Sequence, residues 1–289
     1  MPMKIITKAK ISLKFVRRQA RRTVATLQHG SLTGTPILFA NSFPKSGTHL
    51  LTQVLQGLTQ ISPAVESGLP AIVTFDGLTG QPRPTVDILR DLCRLRPGDV
   101  AYGHLHALPE VAAHLTAPGV AAFFILRDPR DVVVSHVHYV TEMEPNHVHH
   151  AHYRDSLKDF DERLRTSILG RPDLAVPFPD IHGRFEPYLG WFDRPEVLTL
   201  LYEDFISHRE KTLLRVLNHA RSRGLNILVR EQEALRALES AIDPQKSPTF
   251  RSGKIGKWRE SFSEAHRLLF KEVAGDLLIR LGYEQNNDW

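Results

Sequence analysis

Ile37-Leu38-Phe39-Ala40-Asn41-Ser42-Phe43-Pro44-Lys45-Ser46-Gly47-Thr48 is the stretch on which the fold turns. A short apolar run ends in a turn, and residues 48–58 then carry helical spacing, so the stretch reads as strand, loop, helix. A loop so placed points backbone N–H groups into one concavity, to which the helix N-terminus adds partial positive charge. Gly47 allows close backbone approach to an anion, Lys45 adds a full charge, and Ser46 and Thr48 add hydroxyl donors. These are the parts of a receptor for a phosphate or sulfate group. The loop is not a Walker A sequence, because Lys45 precedes Ser-Gly and the upstream glycine is missing. Taken alone, residues 43–48 also satisfy the simpler description of a polar turn capping a helix.

Outward from this stretch the chain alternates between short apolar runs and helical patterns. Strands are predicted at 100–105, 120–126 and 197–201. Helices are predicted from Pro109, from Asp128-Pro129 (cap and first helical position), and near 209–222, 230–242 and 263–281. Short apolar strands alternating with helices imply a parallel sheet covered on both faces. The expected fold is therefore α/β, a central parallel sheet flanked by helices, P-loop-like, forming a single domain over 35–289. Pro- and Gly-rich stretches at 62–84 and 171–187 are expected to be irregular and to cover a ligand site.

Composition fits this reading. The 289 residues are 42% hydrophobic and 24% charged, ordinary values for a globular chain. A single cysteine, Cys93, excludes an internal disulfide framework and any multi-cysteine metal site. No apolar run approaches the ~20 residues of a membrane span.

The net charge of +5 conceals an asymmetry. Residues 1–65 hold nine Lys/Arg and no acid before Glu66, while the remainder carries 28 basic and 32 acidic residues. Within the basic extension, 1–34, Leu13, Val16, Ala20, Val24 and Leu27 share a helical face, with Lys14, Arg17, Arg18, Arg21 and Arg22 largely elsewhere. The pattern suits a helix on an anionic surface, an organelle transit peptide, or a helix whose apolar stripe docks on the domain.

Two further segments carry anion-binding chemistry. Arg127 follows the strongest strand, at the sheet edge where open α/β folds bind ligands, and Ser135 lies on the next helix. Arg251-Ser252-Gly253-Lys254-Ile255-Gly256-Lys257-Trp258 combines two glycines with three cations and a Trp, a flexible loop suited to wrapping phosphate.

Together these segments resemble the sulfotransferase family over about residues 36–284. The resemblance implies 3′-phosphoadenosine 5′-phosphosulfate as donor cosubstrate and requires no metal. Lys45, Ser46, Gly47, Thr48 and His49 correspond to the 5′-phosphosulfate loop. Arg127 with Ser135 matches the 3′-phosphate pair, and Arg251, Ser252 and Gly253 belong to the C-terminal 3′-phosphate loop. Leu201-Tyr202-Glu203-Asp204 is similar to a segment whose tyrosine, here Tyr202, lies near the adenine, and Leu281-Gly282-Tyr283 is a family-like ending. Lys45 is then expected to stabilise the leaving oxygen, since positioning and fixed positive charge supply most of the catalysis in such transfers.

An acceptor hydroxyl needs a base, and a neutral imidazole of ordinary pKa near about 6.5 is suited to that task. The resemblance puts His104 at the catalytic position in Tyr102-Gly103-His104-Leu105-His106, and His106 is the alternative if the strand continues. Tyr102 stands where cytosolic relatives carry lysine, Leu50 replaces a tryptophan that stacks on adenine, and no dimer motif is recognisable around 261–264. Of the clustered histidines, His136 and His138 project from different sides of a predicted helix while His147, His149, His150 and His152 fall in a loop, so the cluster reads as a mobile loop lining the acceptor mouth rather than a metal centre.

The resulting expectation is a cytoplasmic sulfotransferase, placed beside a membrane if the basic helix binds lipid, acting on a small-molecule, glycan or lipid acceptor and on no nucleic acid. The competing readings are a P-loop nucleotide-dependent kinase and a non-catalytic nucleotide- or membrane-binding protein with a degenerate site.

Overall fold

The computed structural model describes residues 2–247 and 253–289, with the backbone alone for 2–15. Helix α1 (Pro2–His29) precedes β1 (Ile37–Ser42), which runs through the turn at 43–47 into α2 (Thr48–Leu58). Two short strands, β2 (Val65–Glu66) and β3 (Ile72–Val73), and helix α3 (Thr85–Leu92) lead to β4 (Asp99–His104). Helix α4 (Pro109–Thr116) leads to β5 (Val120–Leu126) and α5 (Pro129–His138). A π-helical turn over Tyr139–Met143 continues α5, and a second spans His152–Ser156. The chain then forms α6 (Phe160–Leu169), α7 (Ile181–Leu189), β6 (Val197–Leu201), α8 (Tyr202–Ser207), α9 (Arg209–Ser222), α10 (Glu231–Ser240), α11 (Trp258–Ser261) and α12 (Glu264–Arg280).

The strands pair in the order β2-β4-β1-β5-β6, with β3 also on β4, and every pairing is parallel. The chain moves from β1 to β4 on one side and returns across β1 to β5 on the other. This change of direction opens a crevice at the carboxyl ends of the central strands, where ligands of open α/β sheets bind. The 43–47 turn, His104 at the end of β4 and Arg127 just past β5 all reach that edge.

Side-chain alternation builds a core on each face of the sheet. Phe39, Ala122 and Phe124 pack with α4, α5, α7 and α12, while Leu38, Ala40, Phe123 and Ile125 pack with α2, α9 and α10. All seven residues of β5 are buried, as expected of a central strand covered on both faces. At α5 the Asp128 side chain accepts the Arg130 backbone N–H with Pro129 at the first position, the expected cap.

Several expectations need correction. The 62–84 stretch contains β2, β3 and part of the cleft wall, so it is only partly irregular. Gly103 is required there, because a Cβ would sit 2.1 Å from the Ile72 carbonyl oxygen of the adjoining β3. The 171–187 stretch does not line the cleft and ends inside α7, capped by Asp180 and containing Pro187. It backs a neighbouring segment instead, with the Val176 carbonyl 2.8 Å from His149 Nε2.

Helix α1 docks by the face opposite to the one its apolar pattern suggests. Arg18 and Ala25 are buried, while Val16, Val24 and Leu27 are exposed. Arg18 and Arg22 both pair with Asp99, which is fully buried at the start of β4. Arg22 Nη1 lies 2.7 Å from Asp99 Oδ1, and Arg18 and Arg22 also donate to the carbonyls of Arg94 and Pro97 at 2.9 Å each. A desolvated, multiply hydrogen-bonded ion pair decides the docking, which apolar periodicity does not reveal. Among the described residues, no helix is long and apolar enough to cross a membrane.

Candidate active site

The carboxyl edge of the sheet holds a cleft of about 940 Å³, large enough for a nucleotide together with a second ligand. Its floor is the turn between β1 and α2. Gly47 caps α2 at φ 100°, and a Cβ there would lie 2.7 Å from the Tyr202 ring. Lys45 also takes a left-handed conformation, at φ 66°, uncommon for a side-chain-bearing residue and frequent where function constrains the backbone. Its Nζ lies 3.9 Å from the centre of the Tyr139 ring. Ser46 is fully buried, and among the described residues its Oγ has no hydrogen-bond partner. Thr48 Oγ1 is 2.8 Å from Ser42 Oγ, which ties the start of α2 to the end of β1.

His104 is held against the same turn. Its Nδ1 lies 3.0 Å from the Ser42 carbonyl oxygen and 3.1 Å from Ser42 Oγ. A carbonyl only accepts, so Nδ1 carries the proton and the neutral ring keeps its lone pair on Nε2. Burial pushes the His104 pKa below its ordinary value; the Ser42 carbonyl opposes that shift, and the charges of His49 and Lys45 reinforce it. His49, which also lines the cleft, is lowered by burial and by Lys45.

β4 stops at His104, so the register that would bring His106 to the same side does not persist. His106 packs edge-on against Phe75 and Tyr188 and is pushed down to about 4 by burial.

At the far end of the cleft, Arg127 stacks over Tyr202 with its guanidinium 4.7 Å from the ring centre. Arg127 Nη2 donates to Asp131 Oδ2 at 3.2 Å and to the Lys254 carbonyl at 2.8 Å. Its buried Nε has no hydrogen-bond partner among the described residues. Asp131 in turn accepts the backbone N–H groups of Gly256 at 2.8 Å and Trp258 at 2.9 Å. The C-terminal glycine loop is thereby fixed to the first turn of α5, and Gly253 and Lys257 reach the cleft with Ser135. Behind this, Arg130 packs on the rings of both Trp258 and Trp289 and pairs with Asp128 and Glu284.

Of the residues singled out from sequence, Lys45, Gly47, Thr48, His49, His104, Arg127, Ser135, Tyr202 and Gly253 line one cleft, with Ser46 buried behind the turn. Arg251 and Ser252 lie outside the described residues. Nothing in the sequence singles out Asp131. Its sequence signal, an acid in the first turn of a helix, is shared with any N-terminal helix acid, and its partners are 125 and 127 residues away.

The loop at 144–148 does line the cleft, but the histidines as a group do not. Only His147 of the six lines the cleft. His136 is buried and stacked on Phe178, and His149 is buried beside the same ring. Burial pushes both below the ordinary value and takes His147 to about 4, so neutral rings pack as aromatic wedges. Among the described residues, no three His, Cys, Asp or Glu side chains are placed to hold a metal ion.

A parallel sheet whose switch-point crevice carries a cationic turn and a second cationic cluster defines an open α/β fold with its candidate site at the carboxyl edge. The sequence profile of the sulfotransferase domain matches residues 36–282, and the chain belongs to that family. It is 25% identical over 255 residues to sulfotransferase 4A1 of Homo sapiens, covering 81% of this chain and 78% of that protein. The Mus musculus protein of the same name is 24% identical over the same span.

Among solved structures, mouse sulfotransferase SULT7A1 complexed with PAP superposes with a TM-score of 0.56 at 20% identity, over 90% of this chain and 89% of that one. Retinol dehydratase with androsterone and the inactive cofactor PAP gives 0.54 at 17% identity, over 84% of this chain and 80% of that one. These likenesses establish the fold.

Proposed function

We propose that this chain transfers a sulfuryl group in line from 3′-phosphoadenosine 5′-phosphosulfate to an acceptor hydroxyl or, less favourably, an amine. The observation that carries this reading is the convergence of Lys45, His104 and Arg127 on one cleft through three separate strand ends. The donor set fits an anion with two charged ends. Lys45 to His49 offer backbone N–H groups, hydroxyls and an ammonium at one end. Arg127, Lys257 and Ser135 offer cations and a hydroxyl at the other, with Tyr202 between them at the adenine. When bound, the donor supplies the activated sulfuryl group.

The chain supplies position and charge. His104 takes the acceptor proton at Nε2, because Nδ1 is committed to Ser42. Lys45 stabilises the negative charge that grows on the leaving phosphate oxygen. No step in this reading calls on a metal.

The acceptor side of the cleft is walled by Val73, Phe75, Leu78, Tyr139, Val148 and Tyr188. These suit an acceptor with an apolar body carrying the reacting hydroxyl, in keeping with the androsterone and retinol held by the retinol dehydratase structures. A small molecule or the headgroup region of a lipid meets that description better than an extended glycan. We place the enzyme in the cytoplasm.

The test is transfer of label from sulfur-labelled donor to a panel of hydroxylated acceptors. Labelled product formed together with adenosine 3′,5′-bisphosphate supports the proposal. Phosphate transfer from a nucleoside triphosphate would favour a kinase, and donor binding with no turnover on any acceptor would favour a binding protein.

A further inference from the structure

An amphipathic helix on a globular protein ordinarily buries its apolar stripe and shows its charges to water. Helix α1 does the reverse. Arg18, Arg22 and Ala25 face the domain, held by Asp99, while Val16, Ala20, Val24 and Leu27 point away from it. The exposure is large: 57% for Val16, 50% for Val24 and 81% for Leu27. The ion pair therefore fixes the helix so that it presents an apolar ridge about three turns long.

We propose that this ridge seats on an anionic lipid surface. The charges around it select that occupant. Arg17 and Arg21 are exposed on the same helix, Lys4, Lys8, Lys10 and Lys14 precede them, and no acid occurs before Glu66. A second copy of the helix would set cations against cations, with no carboxylate on the helix to pair them. A membrane carrying acidic headgroups complements both features, taking the apolar side chains at the acyl boundary and the Lys/Arg fringe at the phosphates. The device stands apart from the catalytic cleft, since Asp99 opens β4 at one edge of the sheet and His104 closes it at the other. It sets where the protein resides, whatever reaction the cleft performs.

The test uses the full chain and vesicles of phosphatidylcholine, with and without phosphatidylglycerol. The expected result is sedimentation with the phosphatidylglycerol vesicles only, weakened by salt. The double substitution Val24→Glu with Leu27→Glu is expected to lower partitioning at least about tenfold, since each side chain forfeits its apolar transfer. Its melting temperature should stay that of the parent, because neither side chain is buried in the fold. Leu27→Gln, which adds no charge, should give a smaller loss in the same direction.

The proposal fails if the parent protein stays in the supernatant at low salt, or if the double variant sediments equally well. It also fails if the parent is a dimer that the double variant converts to monomer, which would assign the ridge to self-association. Equal binding of parent and variant to soluble polyglutamate, with none to vesicles, would assign the surface to an acidic protein and overturn it as well.

Discussion

Arg127, between β5 and α5, is joined to Asp131 in the first turn of α5, Nη2 to Oδ2 at 3.2 Å, and the same carboxylate oxygen accepts the Gly256 N–H at 2.8 Å. One buried acid therefore sets both a cation of the cleft and the loop that closes over it. Arg127 is left with a donor, Nε, that nothing described in the protein uses.

Replacing Asp131 by Asn removes the charge and turns one acceptor oxygen into a donor facing N–H groups. Hydrogen bonds to a buried charge contribute about 1.5–3 kcal/mol, so a stability loss of about 2 kcal/mol is expected in chemical denaturation. Affinity for adenosine 3′,5′-bisphosphate should fall about tenfold or more in calorimetry. Unchanged affinity would mean that the 253–258 loop is held by other contacts.

Gly47→Ala tests the turn. The backbone at φ 100° disfavours any L side chain, and the new methyl would meet the Tyr202 ring at 2.7 Å. The fold should persist, because the surrounding strands do not depend on the turn. Nucleotide affinity should drop at least about tenfold, since a left-handed position forced on alanine costs roughly 1–2 kcal/mol and Tyr202 must also shift. Parent-like binding would show that the turn does not approach the ligand.

With His104 as the proposed base, the pH profile of the reaction follows from the surroundings of that ring. A base whose protonated form is disfavoured by burial and by Lys45 stays neutral to lower pH than a free imidazole. The acid limb of kcat/KM, which reports the free enzyme, should therefore fall below 6.5. A limb at or above that value would argue against His104 as the base. His104→Ala should lower turnover about 10²-fold or more while leaving nucleotide affinity nearly intact.

Stability should also depend on pH through His106. Its pKa is lowered from 6.5 unfolded to about 4 folded, so between those values the unfolded chain binds more protons. The stabilisation is full above the unfolded pKa and is lost as pH falls towards the folded one. Melting temperature is thus expected to decline on acidification through this window. His106→Phe, which keeps an aromatic ring against Phe75 and Tyr188, should decline less steeply. Identical slopes would place the pH dependence elsewhere.

The elements most visible in the sequence were those whose local pattern and tertiary role agree. The run at 37–42, the fully apolar 120–126, the Asp128-Pro129 helix start and the Lys45 turn all carry their structure in adjacent residues. What stayed hidden depends on distant partners. Asp131 acquires its role only when residues 256 and 258 arrive. The docked face of α1 depends on Asp99, and a ridge of Val16, Val24 and Leu27 gives the same periodicity whether it faces in or out. β2 and β3 are too short to show alternation, and the histidine cluster reads as polar until Phe178 and Tyr153 are seen to bury it.

One titration examines the assignment of the two ends of the cleft directly. Adenosine 3′,5′-bisphosphate and adenosine 5′-phosphate are each titrated by calorimetry into the parent protein and into Arg127→Ala. The bisphosphate is expected to bind the parent at a single site, at least about tenfold more tightly than it binds the variant, with the monophosphate little affected by the substitution. No bisphosphate binding by the parent, or equal loss for both nucleotides in Arg127→Ala, would contradict that assignment.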